Sequence, residues 1–442
     1  MDSYLPKHHG KPRGDSMRAP QHIKLIALAR TIYALSIALL FLLFVVFASK
    51  ESRVPPPSAT TLRRLLEGRR ILVAANYFNN SAILDAHTHE MARFLAMLQS
   101  AGAVPYVSIY ENGSGDDTPA RLRQWGVRLD SMHVPHTINL ESSPAWHKAY
   151  LQFKDDNPND VESATRFRIR FMADVRNKAL APLETHAFDD IVFFNDVLFD
   201  AADIARLLVT DNLDYDVVCA MDFNRVTLYD TWVARDVNGE AMSSLYPFTA
   251  DLESIALLRQ GKPFPVSSCW NGVVAMKAQP FVQDKVRFRA WRHDEPRMLS
   301  RRTPILDAVY SDDCPGSECG LIFEDLNRLL YTNVLMHPTV HVTYRHEDRL
   351  LHAVFGGVLN LLSWALLSIQ PHARVPAAAR LAQCGIDRPL ALATWVYLVV
   401  PLVVVVSLWH VVRHVRTRRP SLHTNHTHSP RKPRATSLID YF

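Results

Sequence analysis

Glycine is scarce, with 15 residues in a chain of 442, and neither a GxGxxG turn nor a Walker P-loop is present. Neither a dinucleotide-binding turn nor a P-loop nucleotidase therefore has support. Any nucleotide phosphate must be held by metal and basic side chains instead. Cysteine is also sparse. Cys219, Cys269, Cys314, Cys319 and Cys384 form no CxxC pair, and their odd number excludes a fully paired intramolecular framework. One or two disulfides suit these positions, and spacing leaves the connectivity open. The formal net charge is only +5 and sits largely in the termini, which argues for membrane flanks and against nucleic acid as a partner. No internal repeat is visible.

Long uncharged runs, by contrast, are present. Residues 31–48 (TIYALSIALLFLLFVVFA) number 18, about 27 Å of helix at roughly 1.5 Å per residue. A charged, proline-rich stretch follows in place of a small-residue cleavage site, which reads as an uncleaved signal anchor over 25–48 and a stem over 49–69. Residues 389–412 form a second candidate span, with Trp395, Tyr397 and Trp409 towards its ends. Basic residues flank the first span on both sides and do not orient it. The tail at 413–442 carries seven basic residues against Asp440, which favours the cytosol. Two spans then place the tail at 1–24 in the cytosol and the region between the spans in a lumen. Residues 349–388 begin with a further apolar stretch, 350–369, interrupted by His352 and Asn360; it suits a third span, a re-entrant segment or a surface helix. Sequons at Asn79 and Asn112 would be acceptors in a lumenal domain.

Over residues 70–348 strands alternate with helices. RILVAAN, VPYVSIY, DIVFFN and YDVVCAMDF read as short buried strands, and DSMHVP as a further one. SAILDAHTHEMARFLAMLQSAG, ATRFRIRFMADVRNKALAPLET and DAADIARLLVT read as helices. The expected fold is α/β, a mainly parallel central sheet covered on both faces, with membrane-spanning helices at both ends of the chain. In such sheets ligands sit beyond the carboxyl ends of the strands. That rule sorts the acidic residues by strand edge.

In FDDIVFFNDVLFD, Asp189 and Asp190 precede the strand, whereas Asn195 and Asp196 end it. An Asn-Asp pair at that edge suits a diphosphate-bound Mn²⁺ or Mg²⁺, which needs one or two hard oxygen ligands. The same pair suits a turn or a helix cap, and the pattern admits both. Asp214 and Asp216 spell Asp-x-Asp but lie before their strand. Asp222 ends that strand and is the better candidate. His87 and His89 in DAHTHE point about 200° apart on a helix, so the group reads as a polar face and not as a zinc site. Arg166, Arg170 and Asn177 share a helix face with Arg176 adjacent, which suits a diphosphate or merely a solvated basic surface. Trp270-Asn271-Gly272 suits sugar stacking or an ordinary core tryptophan beside a bulge. Glu318 precedes a helix that contains Asp325, and a carboxylate there either caps or catalyses.

With these stretches assembled, the chain resembles the fungal α-1,3-mannosyltransferases of the cryptococcal capsule-associated type, glycosyltransferase family 69. The resemblance rests on an ordered set: ILVAANYFNNSAIL, YVSIYENGSGDDT, FMADVRNKALAPL, DDIVFFNDVLF, YDVVCAMDF, LYDTWVARDVNGE, CWNGVVAMKAQPF and SECGLIFEDL. It covers roughly residues 70–345. It implies a GT-A-like nucleotide-diphospho-sugar transferase fold and retaining transfer of mannose from GDP-mannose to the 3-hydroxyl of an α-mannoside. It also implies a divalent metal, Mn²⁺ or Mg²⁺, and a Golgi membrane. Under it, Asn195 stands in for the first carboxylate of a DxD-like element, and Asp196, Asp222 and His337 (or His341) are metal ligands. Asn76, Arg176, Asn177, Asn195 and Asp222 would face the nucleotide-sugar. Asp230, Trp232, Arg235, Asp236, Trp270 and Asn271 would shape the donor or acceptor pocket, and Asp196, Glu318 and Asp325 would be catalytic. The expected partners are the donor, a mannoside glycan and membrane lipid. The alternatives are a xylose or galactose donor on the same fold, or a non-catalytic membrane factor in polysaccharide assembly.

Overall fold

A computed structural model describes residues 54–141, 161–289 and 317–352, with a few isolated positions at 31–38, 152–156 and 356. Side chains at 161–167 are not among those described. The span at 389–412, most of those at 25–48 and 350–369, and both tails lie outside the described residues. Among the described residues no helix is long and apolar enough to cross a membrane.

The order along the chain is α1 (Ala59–Leu66), β1 (Arg70–Tyr77), α2 (Leu84–Ser100), β2 (Val104–Glu111), α3 (Thr118–Ser131), β3 (His136–Leu140), α4 (Val161–Ala179) and β4 (Asp190–Phe194). There follow α5 (Ala201–Leu208), β5 (Val217–Asn224), β6 (Thr227–Leu228), β7 (Arg235–Asp236), α6 (Leu252–Arg259), β8 (Phe264–Ser268), β9 (Val273–Lys277), α7 (Gln279–Val282), α8 (Glu318–Arg328) and β10 (Val334–Thr343). The strands form one sheet in the order β3-β2-β1-β4-β9-β5-β10-β8-β7, with β6 beside β5. Strands β1 to β4 run parallel, and β5 and β10 run the same way, because β9 opposes both β4 and β5. The sheet is thus mainly parallel, and β9 and β8 are antiparallel insertions. DSMHVP is not a strand: its first two residues close α3, and the strand begins at His136.

Strand alternation divides the core in two. Ile71, Val73 and Ala75 of β1, with Val192 and Phe194 of β4, face one layer, in which α1, α2, α3 and α5 pack. Leu72 and Ala74, with Ile191 and Phe193, face the other, which α4 and α8 cover. Asp200 caps α5 by accepting from the Ala202 N–H at 2.8 Å, so it is a helix-start residue. Asp189 and Asp190 sit at the amino edge and are paired with Arg70, Arg69 and Lys277. Asp216 accepts from the Asn333 N–H at that same edge, where Asp-x-Asp holds a loop. Cys219 and Cys269 form a disulfide that ties β5 to the segment entering β9. It closes a loop of 50 residues, a constraint on the unfolded chain of about 4 kcal/mol. Cys319 is free and buried. Of the two sequons, Asn112 is buried and the Asn79 side chain accepts from the Gly115 N–H.

Gly272, at the entry to β9, fixes how close the two halves of the sheet come at the carboxyl edge. Its φ is +80°, and an added Cβ would lie 2.8 Å from Val342 Cγ2 and 3.0 Å from Val197 Cγ1. Gly272→Ala is expected to cost about 2–4 kcal/mol through overpacking and left-handed backbone together. Chemical denaturation of the wild type and the variant measures this; equal midpoints would contradict it.

Candidate active site

The strand order reverses between β1 and β4: β2 and β3 extend to one side, β4 and its neighbours to the other. A crevice at the carboxyl ends of those two strands is where such sheets take ligands. At this edge β4 runs into Asn195 and Asp196, and β5 brings up Asp222. Because β9 runs the opposite way, its preceding residues Trp270, Asn271 and Gly272 arrive at the same edge. Asn195 is held there by its own N–H, which donates to the Gly272 carbonyl at 2.8 Å.

Arg176, from the last turn of α4, is 6% exposed and lies at the centre of the cluster. Its Nε donates to Glu318 Oε1 at 3.0 Å and its Nη1 to Asn195 Oδ1 at 3.2 Å. The guanidinium carbon lies 4.8 Å from the ring centre of Trp270 and 5.8 Å from those of Phe193 and Phe288. Trp270 is 2% exposed, and its Nε1 donates to Asn195 Oδ1 at 3.0 Å. Trp270 thus packs as a core aromatic against the arginine, and Asn195 Oδ1 already accepts two hydrogen bonds. Glu318, in the first turn of α8, also receives the Cys319 thiol on Oε1.

A second group surrounds Asp222, which is fully buried. Its Oδ1 accepts from Asn271 Nδ2 at 2.7 Å and from the Asp230 N–H at 3.2 Å, and its Oδ2 accepts from the Tyr344 hydroxyl at 2.8 Å. Asn271 has φ 42° and also reaches the Asp230 carbonyl at 3.3 Å, so Asp222 and Asn271 together shape the 229–233 turn. Burial raises the Asp222 carboxyl above the ordinary range, against the lowering effect of Asn271 and Tyr344. Burial and then the Asp222 charge push Asp230 up to about 7, with Arg176 opposing. The Asp230 Oδ1 accepts from the Val233 N–H at 3.1 Å.

Asp196 is half-buried beside these groups. Its Oδ2 accepts from Asn80 Nδ2 at 2.9 Å. Burial raises its pKa, and Asn80, its own backbone and Arg176 lower it. Chemically, the donor set fits a divalent cation that arrives with a diphosphate: one hard carboxylate at the crevice, with Asn195 Oδ1 and both Asp222 oxygens spent on hydrogen bonds. Among the described residues no cluster of three or more His, Cys, Asp or Glu side chains could hold an ion without such help. His337 sits in the β10 bulge, where burial, then the charges of Arg206 and His341, bring it down to about 4; its neighbours are not Asp196 or Asp222.

Other expected site residues lie farther out. Asn177 clamps Phe288 by two backbone bonds, at 2.8 and 2.9 Å. Asp325 is closed by Arg289 through contacts of 2.7 and 3.0 Å. Asn76 Nδ2 donates to the Val175 carbonyl at 2.8 Å, while its Oδ1 is buried without a partner. Trp232 is exposed, Arg235 bonds the Thr231 and Ala234 carbonyls, and Asp236 braces the turn to Glu240. The sequence reading missed Asn80, Tyr344 and Glu111. Glu111 ends β2 fully buried, and its Oε2 has no partner. The rule that singled out Asp196, a polar residue ending an apolar strand, applies equally to Glu111.

The raised pKa of Asp230 has a cost with a definite sign. Between an unfolded value near 4 and the folded value of about 7, the unfolded chain loses its proton first. Stability therefore falls as pH rises through that window. Asp230→Asn removes the penalty and is expected to raise Tm at pH 7.5 by roughly 2–4 °C. The gain should vanish towards pH 4. Thermal unfolding from pH 4 to 8 tests this, and a gain that is constant with pH would contradict it.

A family model described as cryptococcal mannosyltransferase 1 matches residues 70–325. The α-1,3-mannosyltransferase CMT1 of Cryptococcus neoformans is 28% identical over 314 residues, covering 65% of this chain and 60% of that protein. The chain thus spans about 60% of the length of that relative. Among solved structures, a mannosyltransferase from Pyrobaculum calidifontis in complex with GDP-Man and Mn²⁺ aligns at 13% identity and TM-score 0.34, over 80% of this chain and 78% of that one. Glucosyl-3-phosphoglycerate synthase from Mycobacterium tuberculosis aligns at 15% identity and TM-score 0.34, over 72% and 87%. With Arg176, Asn195, Asp196, Asp222 and Glu318 falling inside a match that covers more than half its length, the chain belongs to the cryptococcal mannosyltransferase 1 family.

Proposed function

We propose that the chain is a membrane-bound glycosyltransferase of GT-A-like fold. It moves mannose from GDP-mannose to the 3-hydroxyl of an α-mannoside, with retention and with a divalent metal. The single observation that carries this reading is the meeting, at one carboxyl edge, of a buried arginine and a half-buried carboxylate with one side-chain hydrogen-bond partner. Family membership supports the sugar. Asn76 Oδ1, a buried acceptor without a partner at the end of β1, suits a donor group of the nucleoside. The Cys219–Cys269 disulfide suits an oxidising lumen such as the Golgi.

In the reaction, the bond from the anomeric carbon to the β-phosphate oxygen breaks, and its electron pair leaves with GDP. The acceptor 3-oxygen bonds the anomeric carbon on the same face, and its proton passes to the departing phosphate. Asp196 would hold the cation, which when bound supplies charge neutralisation of the diphosphate. Arg176 adds a fixed positive charge in a dry setting, where it is worth more than in water. Glu318, bonded to Arg176 and nearly buried, holds that guanidinium in place; a carboxylate so paired is a weak nucleophile.

One observation favours a non-catalytic reading: Asn195, in the place of a carboxylate, spends its Oδ1 on Trp270 and Arg176. The full chain, assayed with GDP-mannose, UDP-xylose and UDP-galactose on an α-mannoside, with and without Mn²⁺, separates these readings. Metal-dependent product is expected from GDP-mannose alone, and Asp196→Ala should lower turnover by about 10²–10³-fold. Another donor, no GDP release, or metal dependence unchanged in Asp196→Ala would overturn the proposal.

A further inference from the structure

His87 of α2 is 1% exposed and lies in the core rather than on a polar face, a correction to the reading of DAHTHE. Its exposed neighbour His89 does not share its surroundings. Tyr77 OH lies 2.7 Å from its Nε2, and the Val197 carbonyl oxygen lies 2.6 Å from its Nδ1. A carbonyl only accepts, so Nδ1 carries the proton and Nε2 accepts from the tyrosine. Both partners stand next to the site: Tyr77 ends β1, and Val197 follows Asp196. Edge contacts from Tyr77, Phe194 and Phe199, at 5.3, 5.8 and 5.0 Å, fix the ring. The turn that carries Asp196 is also tied at Asn195, through the Gly272 carbonyl at 2.8 Å, at Leu198, through the Thr343 carbonyl at 2.7 Å, and at the Asp196 carboxylate itself, through Asn80 Nδ2 at 2.9 Å.

We propose that His87 is a positioning residue: by donating to the Val197 carbonyl it sets the orientation in which Asp196 meets a divalent cation and its diphosphate. The inference rests on the metal role of Asp196 proposed above. Burial lowers its pKa to about 4, so the ring is neutral near pH 7. A histidine wholly inside a hydrophobic layer, with both nitrogens committed to the backbone and side chain that flank the site, is costly unless fully paired. A purely structural filler would be met more simply by an apolar ring.

Two variants divide the histidine between its partners. The Nδ2 of asparagine matches the position of Nδ1, so His87→Asn keeps the bond to Val197 and loses Tyr77. The far amide group of glutamine matches Nε2, so His87→Gln keeps Tyr77 and loses Val197. Both are expected to lower Tm. Titration calorimetry of the full chain with Mn²⁺ and GDP is expected to show His87→Gln weakened by about 10–100-fold, with His87→Asn within about twofold of wild type. Asp196→Ala serves as the reference and should lose the Mn²⁺-dependent part of GDP binding. If that variant binds as wild type does, the metal reading falls and the positioning claim with it. If Asp196→Ala loses binding while His87→Gln keeps it, only the positioning claim falls. Should His87→Gln not fold, His87→Asn decides alone: a tenfold loss in it, with the Val197 bond retained, overturns the proposal.

Discussion

A guanidinium buried at 6% exposure is the constraint around which the carboxyl edge is built. An unpaired charge there would be prohibitive, and removing one partner of such a buried pair costs about 3–5 kcal/mol. Arg176 is answered by Glu318 from α8, by Asn195 after β4, and by the faces of Trp270, Phe193 and Phe288. They come from α8, from β4 and its end, from the entry to β9 and from the segment after α7, so satisfying one cation brings these into register with α4. Asn195 is informative in this respect. A carboxylate in its place would compete with Glu318 for the arginine, whereas an amide oxygen accepts from both Arg176 and Trp270 at no cost in charge.

That arrangement leaves two kinds of carboxylate at the edge. Glu318 and Asp222 are enclosed and fully engaged, and they act on neighbouring groups. Asp222 holds Asn271 and Tyr344, and it holds the turn that carries Asp230 both directly, at the Asp230 N–H, and through Asn271. Asp196 has one side-chain partner, Asn80, and stands half-buried. Division of labour among these acids therefore follows from their hydrogen-bond partners rather than from their spacing in the chain.

Strand direction was legible in the sequence, and it did most of the sorting. It set Asp189, Asp190, Asp214 and Asp216 at the amino edge, where Arg69, Arg70 and Lys277 pair with the first two and the Asn333 backbone donates to Asp216. It also left Asp196 and Asp222 at the other edge. What escaped it depends on contacts between distant segments. The antiparallel entry of β9, which delivers Trp270 and Asn271, has no local signature. His87 looked like part of a polar helix face because periodicity does not reveal that Tyr77 and Val197 wait in the core. Asp325 and Asn177 drew attention as polar residues in the right stretches, but Arg289 and the Phe288 backbone take up their hydrogen bonds. The Cys219–Cys269 pairing joins residues 50 apart that only the sheet brings together.

The most direct test of the account is the position of a metal ion bound with the nucleotide. A crystal structure of the full chain soaked with Mn²⁺ and GDP-mannose would locate it by anomalous scattering. The account predicts one ion held by an Asp196 carboxylate oxygen, with the nucleotide at the carboxyl ends of β1 and β4. An ion held at the amino edge by Asp214 or Asp216, or GDP bound at the crevice with no ion near Asp196, would contradict it.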